Sequence, residues 1–205
     1  EPVVTDEYYF SGSQVLNDIL PGLFVHERGI GISSCSKMYN LQLIKENNIK
    51  YKSEREILSE DAIFNLELFA FVKSVTIIPE NFYYYFKNES SFSRSYRKDF
   101  QKLNNNFLKK CILLCDEYGY HTQLINSVRA RYHIYAFAGM KQINLCSFSK
   151  EQKKMLLDSF FHDELLHKSI TFDSLKPKSI PLKVFYLCIK FRLYWICRIL
   201  LKLAH

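Results

Sequence analysis

The sequence predicts an α+β protein that is mostly α, and three observations predict it. Beyond Phe92 the chain carries three long stretches with helical spacing of apolar residues, and a fourth closes the chain. Ahead of that point, β-branched and aromatic runs at 75–78 and 82–86 are short and separated by Pro79-Glu80-Asn81, as two strands or one bent strand would be. Glycine is rare, 6 of 205 residues, which argues against glycine-rich phosphate loops anywhere in the chain.

Each element has its own signal. Ser11 followed by an apolar-periodic run predicts a short helix stopped at Pro21-Gly22. Gly29 and Gly31 permit turns in an irregular stretch over 23–34. A second helix is expected from about Ser36 to Glu46, closing at Asn47-Asn48 in a left-handed cap. Residues 49–51 form a short strand candidate. Ser59 is the expected N-cap of a buried helix reaching about Lys73, because Ile63, Phe64, Leu66, Phe69 and Ala70 cover more than one stripe. Further helices are expected over about 94–118, 122–143, 150–168 and 182–203, the last following a linker bracketed by Pro177 and Pro181. The organisation is a front region over 1–92, a helical region over 93–173 and a basic amphipathic helix over 174–205.

Charge placement narrows the function classes. The net charge is +7. From Ser174 onward there is no Asp or Glu, while Lys176, Lys178, Lys183, Lys190, Arg192, Arg198 and Lys202 lie there. The remaining body is near neutral, so no broad nucleic-acid-binding surface is expected. The six cysteines match no paired C-x-x-C zinc pattern and read as buried free thiols of a reducing compartment. His162 and His167 lack the four-residue spacing of a zinc-protease helix, and no P-loop, G-x-S-x-G or G-x-G-x-x-G is present. The chain begins at Glu1 without a Met, and its start is expected to be a cut.

Four elements carry chemistry in a fixed order: S-C-S-K-M-Y, L-I-K-E-N-N-I-K-Y, S-E-D-A-I-F-N and P-E-N-F-Y-Y-Y-F-K-N-E-S-S-F-S-R. Their order and spacing resemble the second half of the catalytic domain of family 2 glycosyltransferases that build capsules, lipopolysaccharides and other surface glycans. The resemblance covers residues 10–100 in register and the helical remainder more loosely. It implies the acceptor-side half of a GT-A-like domain followed by a helical C-terminal region. It further implies an inverting transfer of a sugar from a nucleotide-sugar donor to a glycan or lipid-linked acceptor.

The residue types fit that chemistry. An inverting transfer needs a base for the acceptor hydroxyl proton, and a carboxylate in the first turn of a helix is favoured by the helix dipole. The resemblance points to Asp61 as that base, with Glu60 orienting the acceptor or the neighbouring backbone. An acidic helix start without catalytic role is the plainer alternative. Lys37 borders the active site in the family and is a candidate for the donor pyrophosphate or the acceptor; the alternative is a solvated lysine. Tyr83 and Tyr85 are candidates for a cleft wall, and Ser91 and Arg94 for a segment closing over the donor. Where the family usually has Arg after the last Tyr, this chain has Phe86-Lys87, which removes that arginine contact. The family holds Mg2+ or Mn2+ on a D-x-D motif. No D-x-D occurs here, so donor and metal ligands are expected upstream of Glu1, and this chain alone is not expected to transfer sugar.

At the end of the chain, Phe185, Ile189, Leu193, Ile196, Leu200 and Leu203 fall on one stripe, with Lys183, Lys190, Arg198 and Lys202 broadly opposite. Charges interrupt the segment too often for a bilayer span. The expectation is an in-plane helix over 182–205 on an anionic membrane surface, which would place the protein on the cytoplasmic face of the cell membrane. The competing function is a non-catalytic, membrane-associated helical interaction protein whose front region is a remnant.

Overall fold

The computed structural model describes residues 6–80, 82–84, 86 and 97–203. Of the chain, 63% is helical, with two short strands in one antiparallel sheet, so the mostly-α expectation with a small β component holds. The chain resolves into two units. One comprises Glu1–Lys87 and Asn106–Val128, the other Asn88–Asn105 and Arg129–His205. These discontinuous units differ from the three consecutive segments read from the sequence.

In the first unit, β1 (Tyr8–Ser11) pairs antiparallel with β2 (Ser74–Ile77), with Tyr8 opposite Ile77 and Ser11 opposite Ser74. Strand β2 lies where the β-branched run predicted it. Its partner is not the 82–86 run, which is not a strand at residues 82–84 and 86; the partner precedes the first helix. A π-helical turn (Val15–Ile19) leads into α1 (Leu20–Val25), which runs through Pro21-Gly22 instead of stopping there. Proline at the second helical position lacks only an N–H that has no intrahelical partner in that turn. Helix α1 ends at His26 in a left-handed conformation.

Helix α2 (Leu41–Glu46) starts later than expected. Asn40, not Ser36, caps it, its side chain accepting from the amides of Gln42 and Leu43 at 3.0 and 3.3 Å. The expected left-handed residue after it is Asn48 (φ 50°). Residues 49–51 are not a strand; Ile49 instead packs with Phe64 and Leu68. Helix α3 (Glu60–Phe69) is buried along nearly its whole length, Ala62, Ile63 and Leu66 having no exposed surface. Ser59 precedes it in a left-handed conformation and makes no side-chain capping bond, contrary to the N-cap expectation.

Helix α5 (Thr122–Leu145) follows the predicted range, whereas helix α4 (Phe100–Glu117) starts later than the expected 94, residues 97–99 being non-helical; the two are separated at Gly119 (φ 64°), a conformation free of strain only without a Cβ. From α4, Phe107, Leu108, Cys111, Leu114 and Cys115 are buried in the first unit.

In the second unit the predicted 150–168 helix is two. Helix α6 (Lys150–Phe161) opens with a capping box between Ser149 and Gln152, and α7 (Glu164–Ser169) is capped anew by Asp163, whose carboxylate accepts from the Leu166 amide at 2.8 Å. Helix α8 (Phe172–Leu175) is a single turn. The final predicted helix is also two, α9 (Ile180–Lys190) and α10 (Tyr194–Leu203), broken at Arg192 (φ 60°). The core here contains Tyr132, Met140, Ile143, Phe160, Phe161, Phe185, Tyr186, Ile189, Cys197 and Leu201. Phe185 and Ile189, expected on a membrane-facing stripe, are therefore core residues. No described helix is long and apolar enough to cross a membrane.

All six cysteines are free thiols; Cys111, Cys115, Cys188 and Cys197 are buried, whereas Cys146 is half-buried and Cys35 exposed, so the all-buried expectation fails at these two. Burial pushes the Cys115 and Cys197 thiols up to about 12, which keeps them protonated and inert.

Candidate functional site

The predicted acidic pair opens α3. Glu60 and Asp61 occupy its first turn, where unsatisfied amides and the helix dipole favour negative charge. Both are half-buried. The Ser33 hydroxyl donates to Asp61 Oδ2 at 3.2 Å, and Ser33 Oγ in turn accepts from the Cys35 amide at 3.3 Å. A carboxylate offers about four lone-pair directions, so one serine bond leaves capacity for a second hydroxyl.

Lys37 lies in the same cluster, as the sequence order suggested. Its ammonium donates to the Gly31 carbonyl at 2.6 Å and to the Ser33 carbonyl. Burial lowers its pKa, and the nearby Asp61 carboxylate, then Cys35, pull it back toward the charged form. Its first role is thus to fold the 31–37 loop around its own charge, and a phosphate contact is not needed to explain its position. Burial raises the Glu60 pKa, and the neighbouring Asp61 and Glu54 charges raise it further, against a lowering backbone hydrogen bond.

Sequence reasoning missed Asn65. It is fully buried, and its side-chain amide donates to the Ile32 and Asp61 carbonyls, each at 2.8 Å, while its Oδ1 accepts from the Tyr39 hydroxyl at 2.9 Å. Three elements meet on one amide: the 31–37 loop, the Tyr39 segment and the first turn of α3. Its signal was present in S-E-D-A-I-F-N as a polar residue one turn beyond Asp61 on a helix otherwise apolar at those positions. Tyr39 is a packing residue, its ring edge-on to Phe64 at 5.4 Å, and Tyr51 stacks on the same ring at 4.2 Å.

The remaining predicted residues divide. Tyr83 is about half exposed, beside the more exposed Phe82, Tyr84 and Phe86. Tyr85, Ser91 and Arg94 lie outside the described residues. An open depression of about 410 Å³ in the first unit is lined by Leu16, Asn17, Pro21 and 121–124, not by Asp61. Among the described residues no group of three His, Cys, Asp or Glu side chains fits a metal ion.

No family model, no curated protein and no solved structure matches this chain.

Proposed function

We propose that the chain is the acceptor-side and C-terminal part of an inverting glycosyltransferase, in which Asp61 takes the proton from an acceptor hydroxyl. One observation carries the reading: Asp61 is held at the start of a buried helix with one serine bond, a nearby ammonium, and backbone fixed from behind by Asn65. The hydroxyl oxygen attacks the anomeric carbon as its proton passes to the carboxylate, and the nucleoside diphosphate leaves with the bonding electrons. A positioned base of this kind typically contributes a factor of about 10²–10⁴. Glu60 positions the acceptor, and Lys37 shapes the loop that presents Ser33.

The donor site and its divalent cation belong to a nucleotide-binding half outside this chain, which also completes the acceptor cleft. A lipid-linked acceptor would place the protein at the cytoplasmic face of the cell membrane. The test is reconstitution. Joined to its upstream coding sequence, the protein should convert a nucleotide sugar to a product of inverted anomeric configuration. A protein so completed that transfers none of a full panel of nucleotide sugars to any lipid-linked or glycan acceptor would overturn the reading.

A further inference from the structure

Packing of α9 and α10 leaves a second apolar surface that shares only Leu193 and Leu203 with the stripe the sequence predicted. On α9, Ile180, Val184 and Leu187 are exposed at a spacing that repeats on one helix face, and Phe191 continues the line at 70% exposure. On α10, Trp195 and Ile199 are exposed by 64% and 49%, with Leu203 a further turn on. Leu193 joins the two lines at the break. Isolated exposed apolar residues need no explanation, but a line of eight along two consecutive helices does.

The charges around this line are of one sign. Of the seven cations after Ser174, the fold uses three: Lys176 pairs with Asp173 at 2.6 Å, Arg198 pairs with Asp158, and Lys178 is buried against the Ala130 carbonyl. The other four, Lys183, Lys190, Arg192 and Lys202, form no ion pair among the described residues, although the exposed Lys190 ammonium also donates to the His167 carbonyl at 3.2 Å. A protein partner of mixed surface charge would not require four uncompensated cations beside an apolar line.

We propose that the outward faces of α9 and α10 are a docking surface for an anionic phospholipid bilayer. The apolar line enters the headgroup–acyl boundary, and the four cations contact lipid phosphates. The occupant is a lipid surface because length excludes a span and charge complementarity selects an anionic one. Nothing in this inference depends on Asp61, so vesicle binding and sugar transfer can fail separately.

Trp195 is the only tryptophan and reports directly on the contact. The full chain is mixed with vesicles of phosphatidylcholine containing phosphatidylglycerol, and separately with phosphatidylcholine alone. The expected result is a blue shift of Trp195 emission and co-sedimentation with the anionic vesicles only, reversed by high salt. Each exposed cation should contribute about fivefold to partitioning, so the combined Lys190→Glu, Arg192→Glu, Lys202→Glu variant should bind at least about a hundredfold more weakly. Unchanged wild-type emission with anionic vesicles overturns the proposal, as does equal binding to neutral ones. Self-association abolished by Phe191→Glu, without vesicle binding, overturns it in favour of a second copy of the chain. The wild-type measurements decide even where a variant misfolds.

Discussion

Asn65 and Ile32 are joined by a buried hydrogen bond of 2.8 Å between the side-chain amide and the backbone carbonyl. Through it the 31–37 loop is registered against α3, and the same amide holds the Asp61 carbonyl. Asn65→Ala is expected to lower stability by about 2–3 kcal/mol, because it strands buried polar groups on Ile32 and Tyr39 and leaves a small void. Urea unfolding measures the loss, and amide exchange should rise over residues 31–37 ahead of the rest of the first unit.

Glu60→Gln is expected to stabilise the protein at neutral pH. The folded state raises the Glu60 pKa, chiefly by burial, so the stability associated with its protonated form is fully present below its unfolded value and is lost as pH rises through the folded value. The glutamine removes that loss. Urea midpoints of the two proteins should converge in acid and separate above the glutamate range, with the variant higher.

Lys178 supplies a pH dependence of opposite sign. Burial, and then the Arg131 charge, lower its pKa to about 7, while its ammonium donates to the Ala130 carbonyl at 2.7 Å. Between about pH 7 and 10.5 the unfolded chain therefore binds the extra proton. Stability contributed by this site is fully present above about pH 10.5, falls as pH drops from there toward about 7, and is level below that. The slope is at most about 1.4 kcal/mol per pH unit. Lys178→Met should flatten it, measured as the difference between the stability–pH curves of the two proteins.

Phe185 and Trp195 should respond in opposite ways to truncation. Phe185 is 1% exposed and edge-on to Phe137 at 5.0 Å, so Phe185→Ala is expected to cost about 3–5 kcal/mol. Trp195→Ala should change thermal stability by no more than about 0.5 kcal/mol. Equal losses would mean that the outward face of α10 is part of a packed core.

Much of the front region was legible because its signals are local. Helix α3 announces itself by two acids followed by a dense apolar run, and β2 by its β-branched residues. Strand β1 was not legible, since four residues at 8–11 acquire meaning only by pairing with 74–77. The tail misled for a related reason. Its apolar stripe was read as a single helix, but a left-handed Arg192 breaks it where no glycine or proline stands, and α10 packs back on α9 with Cys197 and Leu201 inward. Within the site, the Asp61–Lys37 neighbourhood was readable from motif order. The buried Asn65 that ties the Asp61 and Ile32 backbones together depends on a contact 33 residues away, beyond the reach of any periodic pattern.

The role proposed for Asp61 is tested most directly by Asp61→Asn in the protein joined to its upstream coding sequence, as in the proposed reconstitution. The substitution keeps shape and hydrogen bonding to Ser33 but cannot accept a proton. The expected result is a fall in kcat of about 10²–10⁴, with KM for the nucleotide sugar and the unfolding midpoint little changed. A variant that transfers sugar at the wild-type rate would contradict the assignment of Asp61 as the base.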